Sequence, residues 1–195
     1  MTQLTDLPQL ASLDAIDRAH LIHPVAPWRT HEQRGPTVLA SGRGAWLTDA
    51  NGHELLDAFA GLWCVNVGYG QESVVQAAAE QMRRLPYATG YFHFSSEPAI
   101  RLADKLVQIT PRSLNHVYLT LGGSEAVDGA VRFIVQYFNS IGKPEKKHFI
   151  SLERGYHGSS STGAGLTALP AFHRGFDLPL PTQHTIPSPN PYRAA

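Results

Sequence analysis

Cys64 is the lone cysteine among 195 residues, so the chain excludes an internal disulfide and fits a reducing compartment. Charge of one sign is missing too. Lys plus Arg number 16 and Asp plus Glu number 16, with no dense basic run, so no long-range field draws the chain to nucleic acid or an anionic membrane. Neither partner is expected. No apolar run approaches membrane-spanning length, and residues 1–10 lack the basic and apolar regions of a signal peptide. These absences make the cytoplasm the expected compartment. Internal repeats and low-complexity segments are also missing. What remains is a chain with 43% hydrophobic residues, long enough to bury one good core, and therefore expected to fold.

Periodicity divides the chain into elements. Residues 13–21 predict a short amphipathic helix, placed at a surface or a partner and stopped by His23-Pro24. Residues 44–49 and 53–57 flank Ala50-Asn51-Gly52, and the Asn-Gly pair marks a tight hairpin turn. Residues 60–70, punctuated by glycine and rich in Trp, Val and Tyr, read as a loop packed on something. A helix is expected over 71–85, with Val74, Val75, Ala78, Met82 and Leu85 on one side. Ser96 and Pro98 open a second, with Ile100, Ala103, Leu106 and Val107 at helical spacing before Pro111. Residues 116–121 predict a strand, residues 124–141 a helix capped by Gly142, and residues 148–152 another strand. That strand-helix-strand order implies a parallel pair and an α/β class. The expected organisation is an N-terminal segment, 1–70, of helix, hairpin and loop, followed by the first part of a larger domain, 71–195. Only two parallel strands are recognisable, and the tail from Leu178 is proline-dense, so the sheet is expected to be incomplete.

Chemistry concentrates where the expected strands end. Tyr118-Leu119-Thr120-Leu121 runs into Gly122-Gly123-Ser124 and then Glu125-Ala126-Val127-Asp128, a strand, a glycine turn and a hydroxyl-capped helix start. Glycines let backbone approach a ligand, Ser124 is expected to cap and donate, and the first helical N–H groups favour an anion. The same pattern also serves as an ordinary helix start. The second strand leads into Gly155-Tyr156-His157-Gly158 and a run of small residues read as a flexible loop. In open α/β sheets ligands collect at the carboxyl ends of parallel strands, so both loops are expected on one rim. A phosphate at the first and the flat ring of Tyr156 at the second suit a ligand made of a ring with a phosphate arm.

These residues, with Thr48-Asp49-Ala50-Asn51-Gly52, Ala60-Gly61-Leu62-Trp63-Cys64-Val65-Asn66-Val67-Gly68-Tyr69-Gly70 and Gly142-Lys143-Pro144, resemble the class III aminotransferases. Those are pyridoxal-phosphate enzymes of fold type I, and the omega-amino-acid:pyruvate transaminases are the most similar group. The resemblance runs from about Leu21 to the proline-rich tail and covers the N-terminal part of such an enzyme. It implies an incomplete fold type I transferase, using pyridoxal 5'-phosphate to move an amino group from an omega-amino acid or amine to a 2-oxo acid such as pyruvate. It further implies that Gly123 and Ser124 bind the cofactor phosphate, with Gly122 where many relatives carry serine. That change removes one hydroxyl and costs about 1 kcal/mol of phosphate binding. Tyr156 would stack on the pyridine ring. Trp63 and Tyr91, with Phe92 beside it, would line the substrate pocket, though a core role is equally open for each. Relatives are homodimers when complete, with sites built across the interface.

The resemblance also requires a Schiff-base lysine and a carboxylate for the pyridine nitrogen, both supplied by the family's second half. Lys143, Lys146 and Lys147 follow the far end of the helix that starts at Ser124, roughly 25 Å from the expected phosphate. Lys105 sits near the end of a helix leading in from the opposite rim. No catalytic residue is therefore expected in this chain, which alone should not catalyse transamination. Racemases, aminomutases and decarboxylases reuse the same parts, and a non-catalytic phosphate-ligand or interaction module is the reading from another class. His20 and His23 are spaced for one helix face but lack a third ligand, so no metal is expected. Ser159, Ser160 and Ser161 show no nucleophile elbow. Cys64 lacks basic neighbours and is expected to be a small buried residue.

Overall fold

The computed structural model describes residues 10–190 and 192. They divide between Ser95 and Ser96 into two compact units.

The first unit begins with helices α1, Leu10–His20, and α2, Trp28–Arg34. Arg18 Nε donates to Asp14 Oδ2 at 2.9 Å, and its Nη1 donates to the Glu32 carbonyl, which ties α1 to α2. Because α1 ends at His20, His23 lies beyond it, and the expectation that the two histidines share a helix face is corrected. Strands β1, Leu39–Arg43, β2, Trp46–Asp49, and β3, Glu54–Leu56, form an antiparallel sheet in that order. The β2–β3 turn follows the Asn-Gly signal. Asp49 Oδ1 accepts the N–H groups of Asn51 and His53, both at 2.8 Å, while Gly52 takes φ 86°. A residue with a side chain rarely adopts that φ. The His53 imidazole against Oδ2, with these backbone donors, holds the Asp49 carboxyl below its usual range. β1 carries a bulge between Leu39 and Ser41 and lay outside the sequence expectation.

Four residues, Ala60–Trp63, make a single turn, α3, with φ between 47° and 65° throughout, so it winds left-handed. Helix α4, Glu72–Arg84, comes next, at the expected place. Its side chains Val74, Val75 and Met82 are exposed.

The second unit contains α5, Glu97–Ile109, and α6, Gly123–Ser140. The end of α6 explains Gly142. Lys143 N–H reaches the Phe138 carbonyl at 2.8 Å and Gly142 N–H the Asn139 carbonyl at 3.1 Å, with Gly142 at φ 71°. This is the paired Schellman closure, with glycine one residue past the cap. Strand β4, Phe149–Leu152, pairs in parallel with β5, Gln183–Ile186, and the short helix α7, Ser161–Leu166, lies between them in sequence. A parallel pair is therefore present, but its second member comes from the proline-rich tail. Residues 116–121 are irregular, which corrects the expected strand. A strand requires a hydrogen-bonded neighbour, and here Leu121 is 98% exposed. Within the run of small residues expected as a flexible loop, 161–166 form a capped, partly buried helix. Among the described residues the buried hydrophobic side chains are Ala164 and Leu166, so the single large core expected from composition is not formed.

Candidate active site

The loop carrying Tyr156 is built by backbone bonds at the end of β4. Gly155 N–H donates to the Leu152 carbonyl at 3.0 Å, and Ala168 N–H returns to the Gly155 carbonyl at 2.9 Å. Thr167, 0% exposed, locks the next two peptide groups of the loop. Its Oγ1 accepts His157 N–H at 2.8 Å and donates to the Gly158 carbonyl at 2.9 Å. Both capacities of a buried hydroxyl are thereby used. Tyr156 projects from this clamp with its ring edge-on to Phe172, centroids 5.7 Å apart, and remains 57% exposed.

The same loop is pressed onto the head of α6. A Cβ on Gly158 would fall 2.6 Å from Ser124 Oγ and 2.8 Å from Ser124 Cα, and Gly158 holds φ 110°. Only glycine allows that approach. Ser159 N–H donates to Ser124 Oγ at 3.1 Å, and Ser160 Oγ donates to Asp128 Oδ1 at 2.8 Å while accepting Gly163 N–H at the start of α7. Ser124 and Asp128, four apart, share one helix face, so the loop is fastened along the first turns of α6. Tyr156 lies two residues from Gly158, hence within about 7 Å of chain. The two loops expected on one rim are thus side by side.

Helix α6 starts differently from expectation. Gly122, in extended conformation at φ −168°, is the N-cap and offers no side-chain cap; Ser124 sits inside the first turn. Two residues past the cap, its oxygen accepts the Ser159 N–H instead. The first intrahelical bond is Ala126 N–H to the Gly122 carbonyl at 3.1 Å. The N–H groups of Gly123, Ser124 and Glu125 precede it and have no partner within the helix. A Cβ on Gly123 would meet nothing within 4 Å, and one on Gly122 would meet only Glu125 Oε2, at 3.1 Å. Glycine at 122 is therefore not demanded by the backbone. A pyridoxal phosphate needs an anion site and a ring cover, and these features are compatible with one. The first-turn N–H groups have no partner within the helix, Ser124 keeps its O–H to donate, and Glu125 is an exposed side chain free to turn from an anion.

Trp63 and Tyr91 belong to the first unit. Trp63 rides on left-handed α3 and is 72% exposed, its ring 5.7 Å from Phe59. Non-glycine residues in this conformation cost about 1–2 kcal/mol each, and Asp57 holds them there. Its Oδ1 accepts Phe59 N–H at 3.1 Å, and its Oδ2 accepts Gly61 N–H and the Tyr69 hydroxyl, both at 2.8 Å. Tyr69 in turn bridges Gly44 through two backbone bonds, 2.9 and 2.8 Å. The Tyr69 hydroxyl, then these backbone donors, hold the Asp57 carboxyl below its usual range, and Asp57 raises Tyr69. Tyr91 is exposed, 6.0 Å from the Phe92 ring, in a tight turn with Phe92 and His93 at positive φ. Cys64, the C-cap of α3, is exposed, which corrects the expectation that it is buried. Sequence reasoning missed Asp57, Tyr69, Asp128 and Thr167. An Asp ahead of a glycine turn was a usable signal for Asp57, but nothing local marks Thr167, ten residues from the amide it holds.

Comparison with known proteins identifies the family. The family model for Aminotransferase class-III matches residues 29–195. A putrescine–pyruvate aminotransferase of Pseudomonas aeruginosa is 39% identical over 167 residues, 86% of this chain and 37% of its own length. A diaminobutyrate–2-oxoglutarate transaminase of Halomonas elongata is 39% identical over 158 residues, 81% of this chain and 34% of its own. Among solved structures, the omega transaminase of Pseudomonas jessenii in complex with PMP superposes with a TM-score of 0.91 at 38% identity, covering 94% of this chain and 40% of that one. The chain thus spans well under half the length of these relatives. Its α/β architecture is part of the fold type I transaminase fold, and the chain belongs to the class III aminotransferases, a family of pyridoxal-phosphate-dependent enzymes.

Proposed function

We propose that this chain supplies the phosphate cup and one pocket wall of a pyridoxal-phosphate-dependent transaminase, moving an amino group from an omega-amino acid or amine to a 2-oxo acid such as pyruvate. The observation that carries the reading is the approach of Gly158 to Ser124, which brings the Tyr156 loop against the open head of α6. In this reading Gly122, Gly123 and the Ser124 hydroxyl hold the phosphate, with the positive end of the α6 dipole behind them. Tyr156 covers the ring, and Trp63 and Tyr91 line the space for the amine's side chain. When bound, the cofactor supplies the electron sink that makes the amino-bearing carbon acidic. The lysine that moves the proton is not among Lys105, Lys143, Lys146 and Lys147, so the 195 residues by themselves hold the cofactor without turning substrate over. Similarity to relatives named for amines, amino acids and 2-oxo acids supports the substrate class. We further propose a cytoplasmic homodimer for the complete enzyme.

The test is titration of the chain with pyridoxal phosphate, monitored by quenching of tyrosine fluorescence. Ser124→Ala should weaken binding about tenfold, the worth of one charge-assisted hydrogen bond. Tyr156→Ala should weaken pyridoxal phosphate binding while leaving inorganic phosphate binding unchanged, each read by calorimetry. A borohydride-reducible lysine adduct in this cup, or pyruvate-dependent amine turnover by the chain alone, would overturn the assignment of the lysine to another segment.

A further inference from the structure

Outside this site, three potential metal ligands converge in the first unit. Asp17 lies on α1, His31 on α2, and His23 on the segment between them; one ligand atom from each lies within 4.8 Å of the others. We propose that Asp17, His23 and His31 bind a divalent first-row transition ion of the zinc type. His23 Nε2 lies 3.0 and 2.9 Å from the two Asp17 oxygens, and His31 Nε2 lies 2.9 Å from Oδ1. Tetrahedral zinc with bonds of about 2.0–2.1 Å separates its ligand atoms by about 3.3 Å. The Asp17–His23 and Asp17–His31 separations have only to open by a few tenths of an ångström to admit the ion, and all three ligand atoms already lie within 4.8 Å of one another.

His31 sets this cluster apart from an ordinary ion pair. Its side chain is 7% exposed, and Nε2 is buried without a hydrogen-bond partner, since its approach to Asp17 lacks hydrogen-bond geometry. A buried ring nitrogen with no partner is costly, whereas the same nitrogen coordinating an ion is satisfied. The two imidazole rings are tilted at 39° with centroids 4.3 Å apart, and the Nε2 atom of each lies within 3.0 Å of the Asp17 carboxylate. Two neutral nitrogens and one carboxylate oxygen form a ligand set suited to zinc, with a fourth position left for water. The His23 side chain is 32% exposed and gives the ion an entry path. The scaffold is fixed independently of the ligands, because Arg18 joins Asp14 to the Glu32 carbonyl, and Trp28 Nε1 donates to Glu32 Oε1 at 2.8 Å. Sequence spacing hid the site. His20 drew attention by its spacing to His23, while the third ligand stands eight residues beyond His23, on another helix.

The experiment titrates the full chain with Co2+ by visible absorption and with Zn2+ in competition. One equivalent should bind with micromolar affinity or better and develop the intense d–d bands of a four-coordinate site. His31→Gln and His23→Gln should each weaken binding about 100-fold, and Asp17→Asn about tenfold. His148→Gln and His184→Gln, which disrupt the other close histidine pair, should leave it unchanged. Zn2+ should raise the unfolding midpoint of the parent chain but not of His31→Gln. Binding of the parent chain no tighter than millimolar, or loss of the tight equivalent in the His148 and His184 variants, overturns the proposal. Should a ligand variant fail to fold, the Co2+ spectrum of the parent chain still decides: octahedral, weakly absorbing Co2+ rejects the site.

Discussion

Residues 151–183 and the long helices α5 and α6 lie in one unit, yet they are held by different means. The former is a polar knot. Thr167, Ser151 and Gln183 are buried, and Gln183 Nε2 reaches the Thr162 carbonyl at 2.9 Å while its Oε1 accepts Leu180 N–H at the same distance. On the helices, Ile100 and Ile134 stand exposed on faces spaced for burial, where Leu106, Val107 and Phe138 are half-buried, and Leu102 and Phe133 are exposed off those faces. A large apolar side chain left in water forgoes about 1.5–3 kcal/mol. The difference teaches that a knot of hydrogen bonds closes within a short stretch of chain, whereas an amphipathic face is only half of an interaction. The Tyr156 loop belongs to the self-sufficient half. Its geometry therefore does not depend on the apolar faces being covered.

The largest test of that contrast is Thr167→Val. It leaves His157 N–H and the Gly158 carbonyl unpaired, and the unfolding free energy of the second unit should fall by about 3 kcal/mol in urea titrations. Gly158→Val comes next, at about 2 kcal/mol, because φ 110° and the Ser124 contact both oppose a side chain. It should also separate the loop from α6, read as faster exchange of the Ser159 amide. Loss of stability without faster exchange at Ser159 would break the link between the knot and the Tyr156 loop.

A third test concerns the other polar clamp. Asp57 is lowered, so its contribution is full above the ordinary carboxylate value near 4 and is lost as pH falls through the lowered one. Tyr69 is raised, so its contribution is full below about 10 and is lost as pH climbs through the raised value. The chemical shift of the Gly61 amide should accordingly stay flat between about pH 5 and 9 and move on either side. The smallest effect is expected on the helices. Ile100→Ser should change stability by no more than about 0.5 kcal/mol. A loss above about 1 kcal/mol would mean that this face is covered in solution and that the contrast fails.

Legibility in the sequence divides along the same line. Helices α4, α5 and α6, the β2–β3 hairpin and the Gly142 closure were readable because period, capping and turn signals are local. The juxtaposition of Ser124 with the Tyr156 loop was readable because both loops come after expected strand ends, although residues 116–121 proved irregular. Strand β5 was not, since prolines at 179, 181 and 187 surround it and its pairing with β4 spans 34 residues, Phe149 to Gln183. Nor was the handedness of α3. Ala60, Leu62 and Trp63 carry no mark of their left-handed conformation beyond their neighbour Gly61, and the Asp57 carboxylate that holds it is itself bound by a tyrosine twelve residues further on.

That turn also constrains how the indole position can be varied. At φ 65° Trp63 already bears a conformational penalty, so exchanging it for glycine removes bulk and relieves the backbone together, while asparagine tolerates the same geometry. Valine or isoleucine would shrink the side chain yet aggravate the penalty. Libraries meant to enlarge the space in front of this residue should therefore be ranked by backbone compatibility first and side-chain volume second.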